Sequence, residues 1–163
     1  VFANNELSKM NLTREIVERG VASIRLIFGD SLVRSEYLAR YKVADLFLDT
    51  QPYNAGTTAS DALKMGLPML TLKGKSYQAR MGASIVNAVN LPELITNTPE
   101  EYEALAIELG NNPDKMKAIK EKLQANLSTA PLFNTKLFTK NLESAYTQMY
   151  ERHHKGLEPD HIY

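Results

Sequence analysis

ADLFLDTQPYNAGTTASDALKMGLPMLTL, residues 44–72, joins two apolar runs through a loop of small and hydroxyl-bearing residues and a short amphipathic stretch. Ala44–Leu48 is read as apolar on both faces, the pattern of a strand covered by helices on both sides. A helix is expected over residues 58–65, stopped by Gly66, and a second strand over Pro68–Leu72. Working outward, Ser23–Phe28 (SIRLIF) reads as another short strand and Val33–Tyr41 as a helix. A first helix is expected over Glu6–Glu18 with Gly20 as its stop, and another over about Arg80–Val89. Alternating strands and helices predict an α/β fold, a Rossmann-like parallel sheet built from right-handed crossovers with flanking helices.

After Leu91 the pattern becomes helical. Pro99–Leu109 and Pro113–Leu127 each carry proline at the helix start, where its missing N–H is not needed, and a third helix is expected over Thr135–His154. Residues 1–96 are thus the α/β sheet part and residues 97–163 a helical C-terminal part of one domain. Val1-Phe2-Ala3 looks like the end of a strand whose beginning is absent, so the chain is expected to be a piece of a longer one, its sheet truncated on the N-terminal side.

Composition narrows the function classes. With 163 residues the chain suits a single core that needs no staples, and it has no cysteine for disulfides or thiolate metal sites. That fits a reducing compartment, and a cytoplasmic location is expected. Lys+Arg and Asp+Glu are 19 each, which offers no electrostatic case for nucleic acid or an anionic membrane. No apolar run approaches the roughly 18 residues of a spanning helix. His153, His154 and His161, with Asp160, fall in and after the last helix; they are read as a polar helix end, and no metal site is expected.

Ligands of open α/β sheets sit beyond the carboxyl ends of the strands. There the loop DTQPYNAGTT delivers Asn54, Gly56, Thr57 and Thr58 to a helix start whose first N–H groups lack intrahelical partners. With the helix dipole and the two hydroxyls, these groups suit a phosphate or diphosphate, and Gly56 allows close backbone approach. Thr58-Ala-Ser-Asp61 equally has the form of a capping box, in which Thr58 caps the helix and Asp61 folds back. Asp61 has a second candidate role, accepting hydrogen bonds from a ribose diol. Lys73, Lys75 and Arg80 make the next loop locally basic. Arg34 and Tyr37, three residues apart on one helix, share a face near its start, where Tyr37 has an aromatic surface suited to a base.

Taken together, ADLFLDT, the TTxxD helix start, GLPML with the following threonine, the basic loop ending in Arg80, and PLFNT before the last helix closely resemble the C-terminal catalytic half of the O-GlcNAc transferase and SPINDLY family, from about residue 12 onward. The resemblance implies a GT-B glycosyltransferase of two Rossmann-like domains, independent of metal, whose C-terminal domain holds the nucleotide of the sugar donor. It implies inverting transfer of N-acetylglucosamine from UDP-GlcNAc to serine or threonine of a protein acceptor, often with tetratricopeptide repeats upstream. Carried over by position, Thr57 and Thr58 fall at the diphosphate and Asp61 at the ribose. Arg34 falls at a family lysine near the nucleoside, and Tyr37 at a histidine that stacks on uracil.

Departures accompany the match. Gly56 stands where animal enzymes have a histidine donor, and Ala79 replaces a serine before Arg80. The family lysine that reaches the leaving diphosphate and the proposed catalytic histidine match no position here, so the catalytic residues are expected outside these residues, in part in an N-terminal catalytic domain. Relatives using GDP-fucose or UDP-glucose, and a non-catalytic interaction module, stand as alternatives.

Overall fold

The computed structural model describes residues 1, 3 and 5–162, which form two compact units, Val1–Ala39 and Arg40–Tyr163. The reading of Val1-Phe2-Ala3 as a strand end rests on Phe2, outside the described residues. In the first unit, helix α1 spans Glu6–Glu18, as its apolar spacing predicts. Asn5 Oδ1 accepts from Ser8 N at its start. At its end Gly20 takes φ 80° and lets Val21 N reach Ile16 O at 2.9 Å, a left-handed closure that glycine adopts without steric cost.

SIRLIF does not form the expected strand. Ser23–Arg25 is a single 3-10 turn, and Ile24 and Ile27 are 85% and 76% exposed. Its β-branched residues suit a pleated, half-buried surface, but a strand is held by a neighbour's ladder and not by propensity. The segment instead pairs with Val1, which donates to Ile27 O and accepts from Gly29 N. Helix α2, Arg34–Arg40, follows.

The second unit contains the parallel sheet. Strands β1 (Phe47–Leu48), β2 (Met69–Leu72) and β3 (Ile95–Thr96) lie in the order β1-β2-β3. Phe47 pairs with Met69 and Leu48 with Leu70; Thr71 pairs with Ile95 and Leu72 with Thr96. Helices α3 (Thr57–Lys64) and α4 (Gln78–Ala88) make the crossovers. Gly66, at φ 83°, ends α3: Gly66 N bonds Leu63 O and Leu67 N bonds Ala62 O, both at 2.9 Å, and the chain turns back into β2.

Two features of the sheet differ from expectation. β1 is two residues long and lies at the sheet edge, so Leu48 is 53% exposed where cover on both faces was expected. β3 was not anticipated, because two residues carry no periodicity to read. The core joins Leu63 of α3, Met69 of β2 and Val86 of α4 to Leu94, Leu109, Met116, Ile119 and Leu123. Helices α5 (Pro99–Asn111) and α6 (Pro113–Asn126) therefore bury their apolar faces in the same core as the sheet. Thr98 and Asn112 cap them, each accepting an N–H three residues on.

Helix α7, Thr135–His154, matches its expected span. It buries none of its residues, and Phe138, Leu142, Tyr146, Met149 and Tyr150 form an exposed apolar stripe at helical spacing. Among the described residues, no helix is long and apolar enough to cross a membrane.

Candidate functional site

The carboxyl ends of β1 and β2 open into two loops joined by hydrogen bonds. Asp49 begins the first loop and is 4% exposed. Its Oδ1 accepts from Thr50 N at 2.9 Å and Ala55 N at 2.8 Å, bending residues 49–55 back on themselves. Its Oδ2 accepts from the Thr71 hydroxyl of β2 at 2.7 Å, and its backbone oxygen accepts from the Tyr102 hydroxyl of α5 at 2.8 Å. A buried carboxylate needs such donors, because desolvation without them costs several kcal/mol. Gly82 of α4 makes room: a Cβ there would collide with Asp49 Oδ2 and Thr71 Oγ1.

Further bonds tie this loop to its neighbour. Gln51 Nε2 donates to Leu72 O at 2.8 Å and Asn54 N to Gln78 O at 3.4 Å. The side chain of Asn54 is 1% exposed; its Nδ2 donates to Thr50 O at 3.2 Å, while its buried Oδ1 has no partner among the described residues. In the second loop Gly74 N bonds Ala79 O at 2.7 Å, and Ser76 Oγ accepts from Ala79 N at 3.2 Å at the start of α4.

The loop ends at the start of α3. Here Thr58 does not cap the helix: the helix begins at Thr57, and its N-cap, Gly56, makes no side-chain capping bond. Glycine carries no acceptor, and Thr58, one residue too far along, lies inside the first turn. By contrast Asn5, Thr98, Asn112 and Asn134 cap α1, α5, α6 and α7 with side-chain oxygens. Thr57 and Thr58 are exposed at this start, and Tyr41 Oη donates to Thr58 O at 3.3 Å. Asp61, one turn deeper, is 8% exposed. An uncapped helix start with two accessible hydroxyls is chemically an anion receptor.

Lys73, Lys75 and Arg80 are exposed on the second loop and the start of α4, and none joins an ion pair among the described residues. Arg34 and Tyr37 belong to the first unit, where the guanidinium carbon lies 5.6 Å from the ring centroid, within cation–π range. In the tail, the His154 ring contacts Tyr150 at a centroid distance of 4.2 Å. Among the described residues no three His, Cys, Asp or Glu side chains converge as metal ligands.

Sequence reasoning singled out the loop but not the residues that shape it: Asp49, Thr71, Gly82 and Tyr102. A carboxylate directly after an apolar strand and a threonine inside the next one were the available signals. Tyr102, 53 positions from Asp49, had none.

Burial, and secondarily the nearby Asp49 carboxylate, raises the Tyr102 phenol from 10.0 to about 12. Because the folded value exceeds the unfolded one, stability is fully present below pH 10.0 and falls as pH rises toward about 12. A 295-nm titration should therefore show one of the 8 tyrosines ionising late. Tyr102→Phe should remove that late step and flatten the alkaline loss of stability.

Comparison with known proteins bears on the family and the fold. Residues 4–142 match the model of Glycosyl transferase family 41. The chain is 38% identical over 145 residues to the Arabidopsis thaliana "Probable UDP-N-acetylglucosamine-peptide N-acetylglucosaminyltransferase SEC", covering 88% of this chain and 15% of that protein. It is 32% identical to the Caenorhabditis elegans UDP-N-acetylglucosamine-peptide N-acetylglucosaminyltransferase, over 93% of this chain and 13% of that one. A solved structure of a Thermobaculum terrenum O-GlcNAc transferase mutant superposes with TM-score 0.83 at 34% identity, covering 90% of this chain and 28% of that chain. The chain thus spans only 13% and 15% of the length of these two sequence relatives.

Proposed function

The chain belongs to glycosyl transferase family 41, and on that premise we propose that it is the donor-binding part of an inverting protein O-glycosyltransferase. The intact protein transfers N-acetylglucosamine from UDP-GlcNAc to serine or threonine. The observation that carries this reading is the uncapped start of α3, with Thr57 and Thr58 exposed beyond the carboxyl end of β1.

In this reading the N–H groups of the first turn and the hydroxyls of Thr57 and Thr58 receive the donor diphosphate, and Gly56 lets the backbone approach it. Asn54 contributes by closing the loop from within. Asp61 accepts from the ribose, and within the first unit Tyr37, with the Arg34 guanidinium against its ring, offers an aromatic face suited to a base. An acceptor hydroxyl attacks the anomeric carbon as UDP leaves from the opposite face. Negative charge then builds on the departing diphosphate, where a preorganised helix start and nearby cations such as Arg80 lower the barrier by several kcal/mol. The group that takes the acceptor's proton lies outside these residues, in an N-terminal catalytic domain against which the apolar stripe of α7 packs. Tetratricopeptide repeats would bring the protein acceptor. The reaction needs no metal, and the protein works in the cytoplasm.

The test is calorimetric titration of the full-length protein with UDP, GDP and inorganic phosphate. UDP should bind in preference to GDP, and Thr57→Val combined with Thr58→Val should weaken it at least about tenfold, the scale of one lost hydrogen bond to a charged group. Preference for GDP would redirect the reading to a GDP-sugar donor. Absence of nucleotide binding would leave a non-catalytic module.

A further inference from the structure

The donor-site reading explains the start of α3 but not why so much buried polar structure gathers behind it. Gln51 and Asn54 each tie loop 49–56 to a neighbouring element, but most of its bonds to the core converge on Asp49. Asp49 receives five hydrogen bonds or gives them: its amide donates to Leu70 O at 3.0 Å, its Oδ1 accepts from Thr50 N and Ala55 N, its Oδ2 from Thr71 Oγ1, and its carbonyl from Tyr102 Oη. The elements that hold it are β2 through Thr71, α5 through Tyr102, and α4 through the absent side chain of Gly82. Thr71 is itself fully buried, and its carbonyl accepts from Thr96 Oγ1 at 3.0 Å. Ala55 N, held on Asp49 Oδ1, is one residue before the N-cap Gly56. A shift of the carboxylate would therefore pass directly to the first turn of α3.

We propose that Thr71 and Tyr102 are positioning residues of the nucleotide site, acting through Asp49 to hold the 49–56 loop and deliver the start of α3 in one pose. The proposal rests on the donor-site reading above and adds to it the residues that preorganise the site. None of the three touches the ligand. Thr71 fixes the carboxylate in place, Tyr102 fixes the Asp49 backbone, and the bound carboxylate fixes Ala55. A receptor of backbone N–H groups depends on such support, because a group displaced by about an ångström loses much of its effect.

Thr71→Val preserves shape and removes the hydroxyl, Thr71→Ser restores it, and Tyr102→Phe removes only the phenol oxygen. All are compared in the full-length protein by amide hydrogen exchange without ligand and by UDP calorimetry. In Thr71→Val and Tyr102→Phe, exchange across residues 49–58 should quicken about tenfold while that of α6 stays unchanged, and the Kd for UDP should rise about tenfold. Thr71→Ser should return both to wild-type values. Should Thr71→Val fail to fold, Tyr102→Phe, which leaves the carboxylate's own bonds intact, carries the test.

Exchange that quickens equally in α6 indicates general destabilisation and overturns the proposal. UDP binding that is normal in the wild type and equal in the variants overturns it while sparing the donor-site reading. A wild type that binds no UDP overturns both.

Discussion

Gly82→Ala should lower the unfolding free energy by about 4 kcal/mol, a large share of the total stability of an ordinary domain. The added methyl has nowhere to go: it would collide with Asp49 Oδ2 and Thr71 Oγ1, both on buried residues. Forcing a methyl into a packed interior costs about 1–3 kcal/mol. Here the yielding group is also a buried carboxylate, so relief of the clash breaks charge-assisted bonds worth about 1.5–3 kcal/mol each. For a chain of this length, a loss of that size lowers Tm by about 10 °C. Urea denaturation and scanning calorimetry give both quantities. Gly110→Ala is the control: Gly110 is helical, and a Cβ there would meet nothing within 4 Å. That substitution should stabilise by about 0.5–1 kcal/mol through helix propensity. A Gly82→Ala protein as stable as Gly110→Ala would mean that Asp49 is not packed against α4.

The contrast between the two glycines shows which parts of the molecule were legible beforehand. Local signals were read well. Gly20 stops α1, proline opens α5 and α6, and Gly66 turns α3 into β2. Each acts within a few residues of its effect, so spacing alone reveals it. What failed depends on distant partners. SIRLIF has strand-like residues, but among the described residues of its unit it shows a short pairing with Val1 and a 3-10 turn in place of a strand. β1 was read as covered on both faces because its residues are apolar, yet its place at the sheet edge leaves Leu48 exposed.

The candidate site divides in the same way. Its surface was legible, since Gly56, Thr57 and Thr58 form one contiguous helix start and the family resemblance assigns them a ligand. The capping-box alternative was resolved only by geometry, because whether Thr58 lies before the helix or inside it turns on one residue of phase. The support beneath was not legible. Asp49, Thr71, Gly82 and Tyr102 come from a loop and three elements and meet only in three dimensions, and a glycine within a helix conceals the carboxylate that requires it.

Asp61→Ala should weaken UDP binding about a hundredfold. A carboxylate facing a ribose diol accepts two charge-assisted hydrogen bonds, and losing about 2.7 kcal/mol of such interaction corresponds to two orders of magnitude in Kd. Asp61 is 8% exposed within α3, so its attraction for a hydroxyl is less screened than that of a fully solvated carboxylate. Loss of affinity alone would not separate a ribose contact from distortion of the helix start. Binding of 2′-deoxy-UDP makes that separation. The wild type should bind it about tenfold more weakly than UDP, because one of the two hydroxyls is gone. Asp61→Ala, having nothing to offer either hydroxyl, should bind the two nucleotides equally. Asp61→Asn keeps the volume and an acceptor oxygen without the charge, so it should fall between wild type and alanine. A wild type indifferent to the 2′-hydroxyl would remove Asp61 from the ribose. Persistent discrimination in Asp61→Ala would place the contact on another residue, and in either case the start of α3 would keep its diphosphate role only if the Thr57 and Thr58 variants still weakened UDP.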